Sequence, residues 1–160
     1  MKLLQPIGIV LGANLLESLV HNMFWTVDTP VRGSVVYCDL GFGIIEHSGI
    51  YIGNNQIVHL NGQGDVEIVS PEEFMRGCTA ISIYVSCDSE GDAVGYDDVA
   101  ENALGLVGYN VGYSFWRRNC HQFCSYCLSI YQDNMDVTLN LLKMEAKKQL
   151  NATQWRVWKR

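Results

Sequence analysis

The chain has 160 residues, 48% of them apolar, and a formal net charge of −6, with an isoelectric point near 5.1. That length fits one domain with a core of ordinary size. The acidic balance, with no basic stripe, excludes nucleic acid as the expected partner. Six cysteines at irregular spacing (Cys38, Cys78, Cys87, Cys120, Cys124 and Cys127) read as reduced thiols of a cytoplasmic protein rather than a disulfide framework.

In chain order, Leu11, Leu15, Leu16, Leu19 and Val20 recur at helical spacing. They predict an amphipathic N-terminal helix within residues 1–27, docked on the domain. An export signal or a membrane-surface anchor is the alternative. Gln5, Pro6, Asn14 and Glu17 break the apolar run, which is too short to span a bilayer. Thr29-Pro30 interrupts the chain before a strand at Ser34–Tyr37, and Gly41-Phe42-Gly43 reads as a turn. Ser48–Ile52 and Gln56–Leu60 are apolar and β-branched, and the turn residues Gly53-Asn54-Asn55 join them into a hairpin. Asp65–Val69 is a further strand. Ser70-Pro71-Glu72-Glu73 opens a helical turn, with serine at the N-cap and proline at the first helical position. Thr79–Val85 reads as a strand and Asp97–Leu106 as a helix. A helix over Cys120–Tyr131 has Asn119 as its N-cap. Leu139, Leu142, Ala146 and Leu150 mark a last helix within 136–154.

These elements predict one α+β domain, an antiparallel sheet of four to five strands flanked by helices, with its core in residues 31–129. Short connections require the antiparallel pairing. The terminal Trp155–Arg160 run reads as a frayed helix end whose cations suit the helix dipole. Weak membrane-surface contact is the alternative.

The chemistry gathers at three residues. The hairpin brings His47 and His59 side by side despite twelve residues of separation. Cys120 opens a helix behind Arg117, Arg118 and Asn119, where a thiolate is expected to be stabilised. Nucleophile, base and orienting group are then all present. Taken singly, Cys120 also fits a buried structural cysteine and His59 a core histidine. Cys120-x-x-x-Cys124-x-x-Cys127 matches the ligand spacing of radical S-adenosylmethionine enzymes. The pattern here is helical, however, and the 33 residues after Cys127 leave no room for the barrel those enzymes need. Zinc held with His121 is a further alternative. The reading is of no metal and no cofactor. His21 has no partner at a useful spacing. His121 points about 100° from Cys120 on a helix. Asp39 and Glu46 read as surface carboxylates.

The stretches His47-Ser48-Gly49-Ile50-Tyr51-Ile52-Gly53, Val58-His59-Leu60 and Asn119-Cys120-His121-Gln122-Phe123, with Gly33-Ser34-Val35-Val36 as an entry strand, resemble the lecithin:retinol acyltransferase (LRAT) family. That family is a circularly permuted relative of the papain-like and NlpC-type cysteine hydrolases. The resemblance covers about Val31 to Ser129. It implies Cys120 as nucleophile, a thioester acyl-enzyme, His47 as general base and His59 as the residue that holds His47. Ser48, Tyr51, Asn119 and His121 are the implied substrate contacts, and the backbone N–H of Cys120 the implied oxyanion donor. The implied substrate is a small acyl compound, a lipid ester or amide, or a cell-wall peptide as in the NlpC-type relatives. A binding module that keeps the fold without the chemistry is the other class. The chain departs from the family at His121-Gln122, where Glu-His is frequent, and at Ser48, where vertebrate members have Trp. Both departures bear on substrate rather than on nucleophile or base. The oligomeric state is left open.

Overall fold

The computed structural model describes residues 26–27, 29–41, 45–76, 81–114 and 117–160. The N-terminal helix expectation, His21 and Cys78 lie outside these residues, as does most of the expected Gly41-Phe42-Gly43 turn. The described strands are β1 (Thr26–Val27), β2 (Val35–Gly41), β3 (Ile45–Gly53), β4 (Gln56–Leu60), β5 (Val66–Val69), β6 (Tyr84–Cys87) and β7 (Gln154–Trp158). The helices are α1 (Pro71–Phe74), α2 (Asp97–Leu104), α3 (Cys120–Ser129) and α4 (Leu139–Leu150).

The strands form one sheet in the order β1-β7-β6-β2-β3-β4-β5. It has seven strands rather than the four to five expected, and it is mixed rather than purely antiparallel, because β1 runs parallel to β7. The last helix ends at Leu150, with Asn151 in the left-handed conformation. The chain then returns as β7, antiparallel to β6. Val157 and Trp158 are buried, and the Trp158 ring meets Tyr51 edge-on at 5.4 Å. The run up to Trp158 is therefore sheet, not a frayed helix end. Trp155 packs against one core cluster and Trp158 belongs to the other, so β7 meets cover on both faces.

The β3–β4 hairpin has the chemistry its sequence implies. Asn54 and Asn55 both have positive φ, 51° and 59°, the conformation a two-residue type I′ turn demands and asparagine tolerates. The turn fixes the register, so His59 lies opposite Gly49. On its other side β4 pairs with β5, and His59 lies opposite Glu67.

Both faces of the central strands are covered. On one, Val35, Ile50, Val58 and Leu60 pack with Phe123, Cys124 and Cys127 of α3 and Leu142 and Ala146 of α4. On the other, Val36, Cys38, Tyr51 and Ile57 pack with Phe74 and Trp158. Apolar pairs such as Val35-Val36 and Ile57-Val58 face opposite ways and are all fully buried. Each such side chain contributes about 1.5–3 kcal/mol. Alternation along β3 thus separates Ser48 and Ile50, on the α3 side, from His47, Gly49 and Tyr51, on the α1 side.

Candidate active site

On the α1 side, His47 Nε2 lies 2.6 Å from His59 Nδ1. His59 Nε2 in turn donates to Glu67 Oε1 at 3.1 Å, and the Asn61 side-chain amide donates to the same oxygen at 3.0 Å. Phe74 stacks on His47, with ring centroids 4.8 Å apart and an interplanar angle of 30°. The capping box of α1 delivers that ring: Ser70 Oγ accepts from the Glu73 N–H, and the Glu73 carboxylate accepts from the Ser70 N–H. Gly49 makes room for it, since a Cβ there would sit 2.6 Å from Ile57 and 3.0 Å from Phe74. Burial holds both imidazoles neutral at pH 7. It lowers His47 to about 3, helped by the charges that His59 and His121 would carry. It also lowers His59, against the opposing pull of Glu67.

On the α3 side, Asn119 caps the helix: its Oδ1 accepts from the N–H groups of His121 and Gln122. Cys120, at the first turn, is buried, and its thiol lies 4.0 Å from the Glu46 carbonyl. The sulfur therefore sits against the β3 backbone that flanks His47. Burial pushes the thiol above its ordinary pKa. The N–H and hydroxyl of Ser48 and the N–H groups of Cys120 and His121 oppose that shift. The expected stabilised thiolate is thus corrected to a neutral thiol. Arg118 donates to the Val111 carbonyl at 2.9 Å, Arg117 is exposed, and neither is among the groups that shift the thiol. Desolvation outweighs the helix terminus here. Among the described residues, no hydrogen bond joins Cys120 to either imidazole. The structure therefore unites the two histidines and brings the thiol to the same strand, without a thiol–imidazole hydrogen bond among the described residues.

The four residues expected to touch substrate each make bonds within the protein. Ser48 Oγ lies 3.0 Å from His121 Nδ1 and accepts from the Cys124 thiol at 3.5 Å. Ser48 and His121 are both buried. The Asn119 side-chain amide donates to the Val137 carbonyl at 2.8 Å. Tyr51 is buried, and its hydroxyl accepts from the Asn55 N–H at 3.3 Å. These bonds tie all four to β3 and α3, and Asn119 also borders a groove. A groove of about 520 Å³ opens along the flank of α3, lined by Asn119, Gln122, Phe123 and Tyr126 and closed by Leu60 and Val111. It reaches Asn119, directly before Cys120, and its volume suits a small ligand.

Two members of the site escape the motifs, Glu67 and Phe74. Glu67 had a signal: with the loop over Asn61–Gly64 read as a hairpin connection, it mirrors His59. Phe74 had only the capping box before it. Cys120, Cys124 and Cys127 all lie on α3 as buried free thiols. Among the described residues, no three His, Cys, Asp or Glu side chains are arranged to hold a metal ion. No described helix is long and apolar enough to cross a membrane.

No curated protein compared with the chain matches it. The family model described as lecithin retinol acyltransferase matches residues 28–131, well over half of the sequence and every residue of the site. With its histidine pair on the β3–β4 hairpin and its cysteine at the start of α3, the chain belongs to the lecithin retinol acyltransferase family, a family of thiol acyltransferases and hydrolases.

Proposed function

We propose that the chain is a cysteine-dependent acyl hydrolase or acyltransferase in which Cys120 attacks an acyl carbonyl, His47 moves the proton and His59 holds His47. The observation that carries this reading is the 2.6 Å contact between His47 and His59, on the strand whose backbone also receives the Cys120 thiol. Because the thiol and both rings rest neutral, activation proceeds by general-base proton transfer, not from a standing thiolate–imidazolium pair. The sulfur exchanges its contact with the Glu46 carbonyl for the His47 ring.

In the first half-reaction the thiol proton passes to His47 as sulfur bonds to the acyl carbon, and the C=O pair moves onto oxygen. The Cys120 N–H is the donor to that oxygen, since Asn119 Oδ1 already takes the His121 and Gln122 N–H groups. Collapse breaks the bond to the leaving alcohol or amine, which takes the proton from His47 and leaves a thioester. In the second half-reaction water or an acceptor loses its proton to His47 and attacks the thioester; the C–S bond breaks, and His47 returns the proton to sulfur to restore the thiol.

Lipid acyl esters or amides are the first substrate class proposed. Peptide amides are the second, favoured by the amide side chains of Asn119, Gln122 and Asn134 along the groove. Intact-mass measurement after incubation with mixed phospholipid vesicles and, separately, peptidoglycan fragments tests both. An acyl adduct confined to Cys120 supports the reading and names the class. Turnover undiminished in Cys120→Ala overturns it.

A further inference from the structure

We propose that Glu67 is a positioning residue: through His59 it fixes the tautomer of His47 and so decides which ring nitrogen of His47 acts as the base. This inference rests on the catalytic reading above for its kinetic consequence, but not for its geometry.

A carboxylate only accepts hydrogen bonds. Glu67 Oε1 stands 3.1 Å from His59 Nε2, so His59 carries its proton on Nε2. A neutral imidazole has one N–H, so His59 Nδ1 is bare and accepts. Its partner at 2.6 Å is His47 Nε2, which must then donate. The single proton of neutral His47 is thereby placed on Nε2, and Nδ1 is left as the only nitrogen able to accept one. One carboxylate at the rim of the sheet sets the proton positions of two rings in series.

Three features make Glu67 suited to this. It lies directly opposite His59 in the β4–β5 register. The Asn61 amide donates to the same carboxylate oxygen at 3.0 Å and steadies it. Its side chain keeps 47% exposure, so the charge remains solvated while His59 is buried and His47 half-buried. When His47 takes a proton, the positive charge is relayed toward an anion rather than stranded in the core. His121 provides the contrast, since its Nδ1 faces the neutral hydroxyl of Ser48 at 3.0 Å.

The test is a long-range ¹H–¹⁵N correlation spectrum of histidine-labelled protein at pH 7, for wild type, Glu67→Gln and Cys120→Ala. The proposal expects His47 and His59 both as the Nε2–H tautomer in wild type and in Cys120→Ala. In Glu67→Gln, whose amide can donate as well as accept, both rings should lose that single tautomer while His121 stays unchanged as the internal control. Kinetically, Glu67→Gln should lower kcat by about 10–100-fold, as partners of oriented imidazoles do, with KM nearly constant and partial rescue in Glu67→Asp. An Nδ1–H tautomer at His47 in wild type, or unchanged tautomers in Glu67→Gln, overturns the role of Glu67 even if the enzyme is active. Tautomers as expected in a wild type that acylates at no residue leave Glu67 in place and overturn the catalytic reading alone.

Discussion

The two sides of strand β3 hold similar parts and differ in where those parts lead. On the α1 side His47 bonds to His59 and on to the Glu67 carboxylate. On the α3 side His121 bonds to Ser48, which accepts from Cys124. Burial lowers both rings, His47 to about 3 and His121 to about 4. Burial alone therefore does not mark the base. The chain of partners does: one ends on an anion that can balance an imidazolium, the other on neutral groups inside the core. A charge generated at His121 would have no counterpart, which suits a support and not a proton carrier.

The sharpest way to break this comparison is to exchange the histidines' fates. Cys120→Ala should abolish acyl labelling entirely, as read by intact mass. His47→Ala should cost nearly as much, about 10²–10⁴-fold in turnover. His121→Asn should leave most of the turnover and instead lower the melting temperature. The reverse ranking would make His121 the base.

Phe74→Ala comes next. Emptying the space under both rings should cost about 3–5 kcal/mol of stability in chemical denaturation. Activity should fall further than the loss of folded protein explains, since the stacked His47 ring loses its support. A variant as stable as wild type would mean that α1 collapses onto the histidines without it.

A pH series sharpens the same contrast. Both chains contain histidines whose folded pKa is depressed below the unfolded value. Below about 6.5 the unfolded chain gains protons that the folded chain refuses, so the stability present above that pH is lost as pH falls. The loss should reach roughly 2 kcal/mol per strongly depressed histidine by pH 5, seen as a falling denaturation midpoint. His121→Asn should flatten part of the slope, and a midpoint constant from pH 7.5 to 5 would contradict the burial of these rings.

The smallest effect is expected at Cys127, which burial raises out of the reactive range. Cys127→Ser should cost about 1–3 kcal/mol for a hydroxyl placed in an apolar core, with labelling at Cys120 unchanged. Loss of labelling in that variant would tie the inner thiols to the chemistry.

The local devices are legible in the residues that form them. Asn54-Asn55 specifies its own turn because asparagine tolerates positive φ, Ser70-Pro71 and Asn119 specify helix starts because their side chains satisfy the first N–H groups, and the turn in turn pairs His47 with His59. These outcomes depend on neighbours within a few residues, and so does the motif that marks Cys120. Tertiary structure decided everything that needed a distant partner. β7 is a strand only because the exposed edge of β6 accepts it. Trp155 to Trp158, read alone, fits a frayed helix end, with an interfacial tail as the alternative. Ser48 and His121 became supports because α3 packs over β3 and seals them from solvent. The Cys120 thiol is raised rather than lowered for the same reason: a helix terminus and two nearby arginines are legible in sequence, but desolvation depends on what the fold lays on top. Glu67 stood between the two cases. Its register opposite His59 follows from a short loop, yet its meaning appears only once the 3.1 Å bond across β4 and β5 is in view.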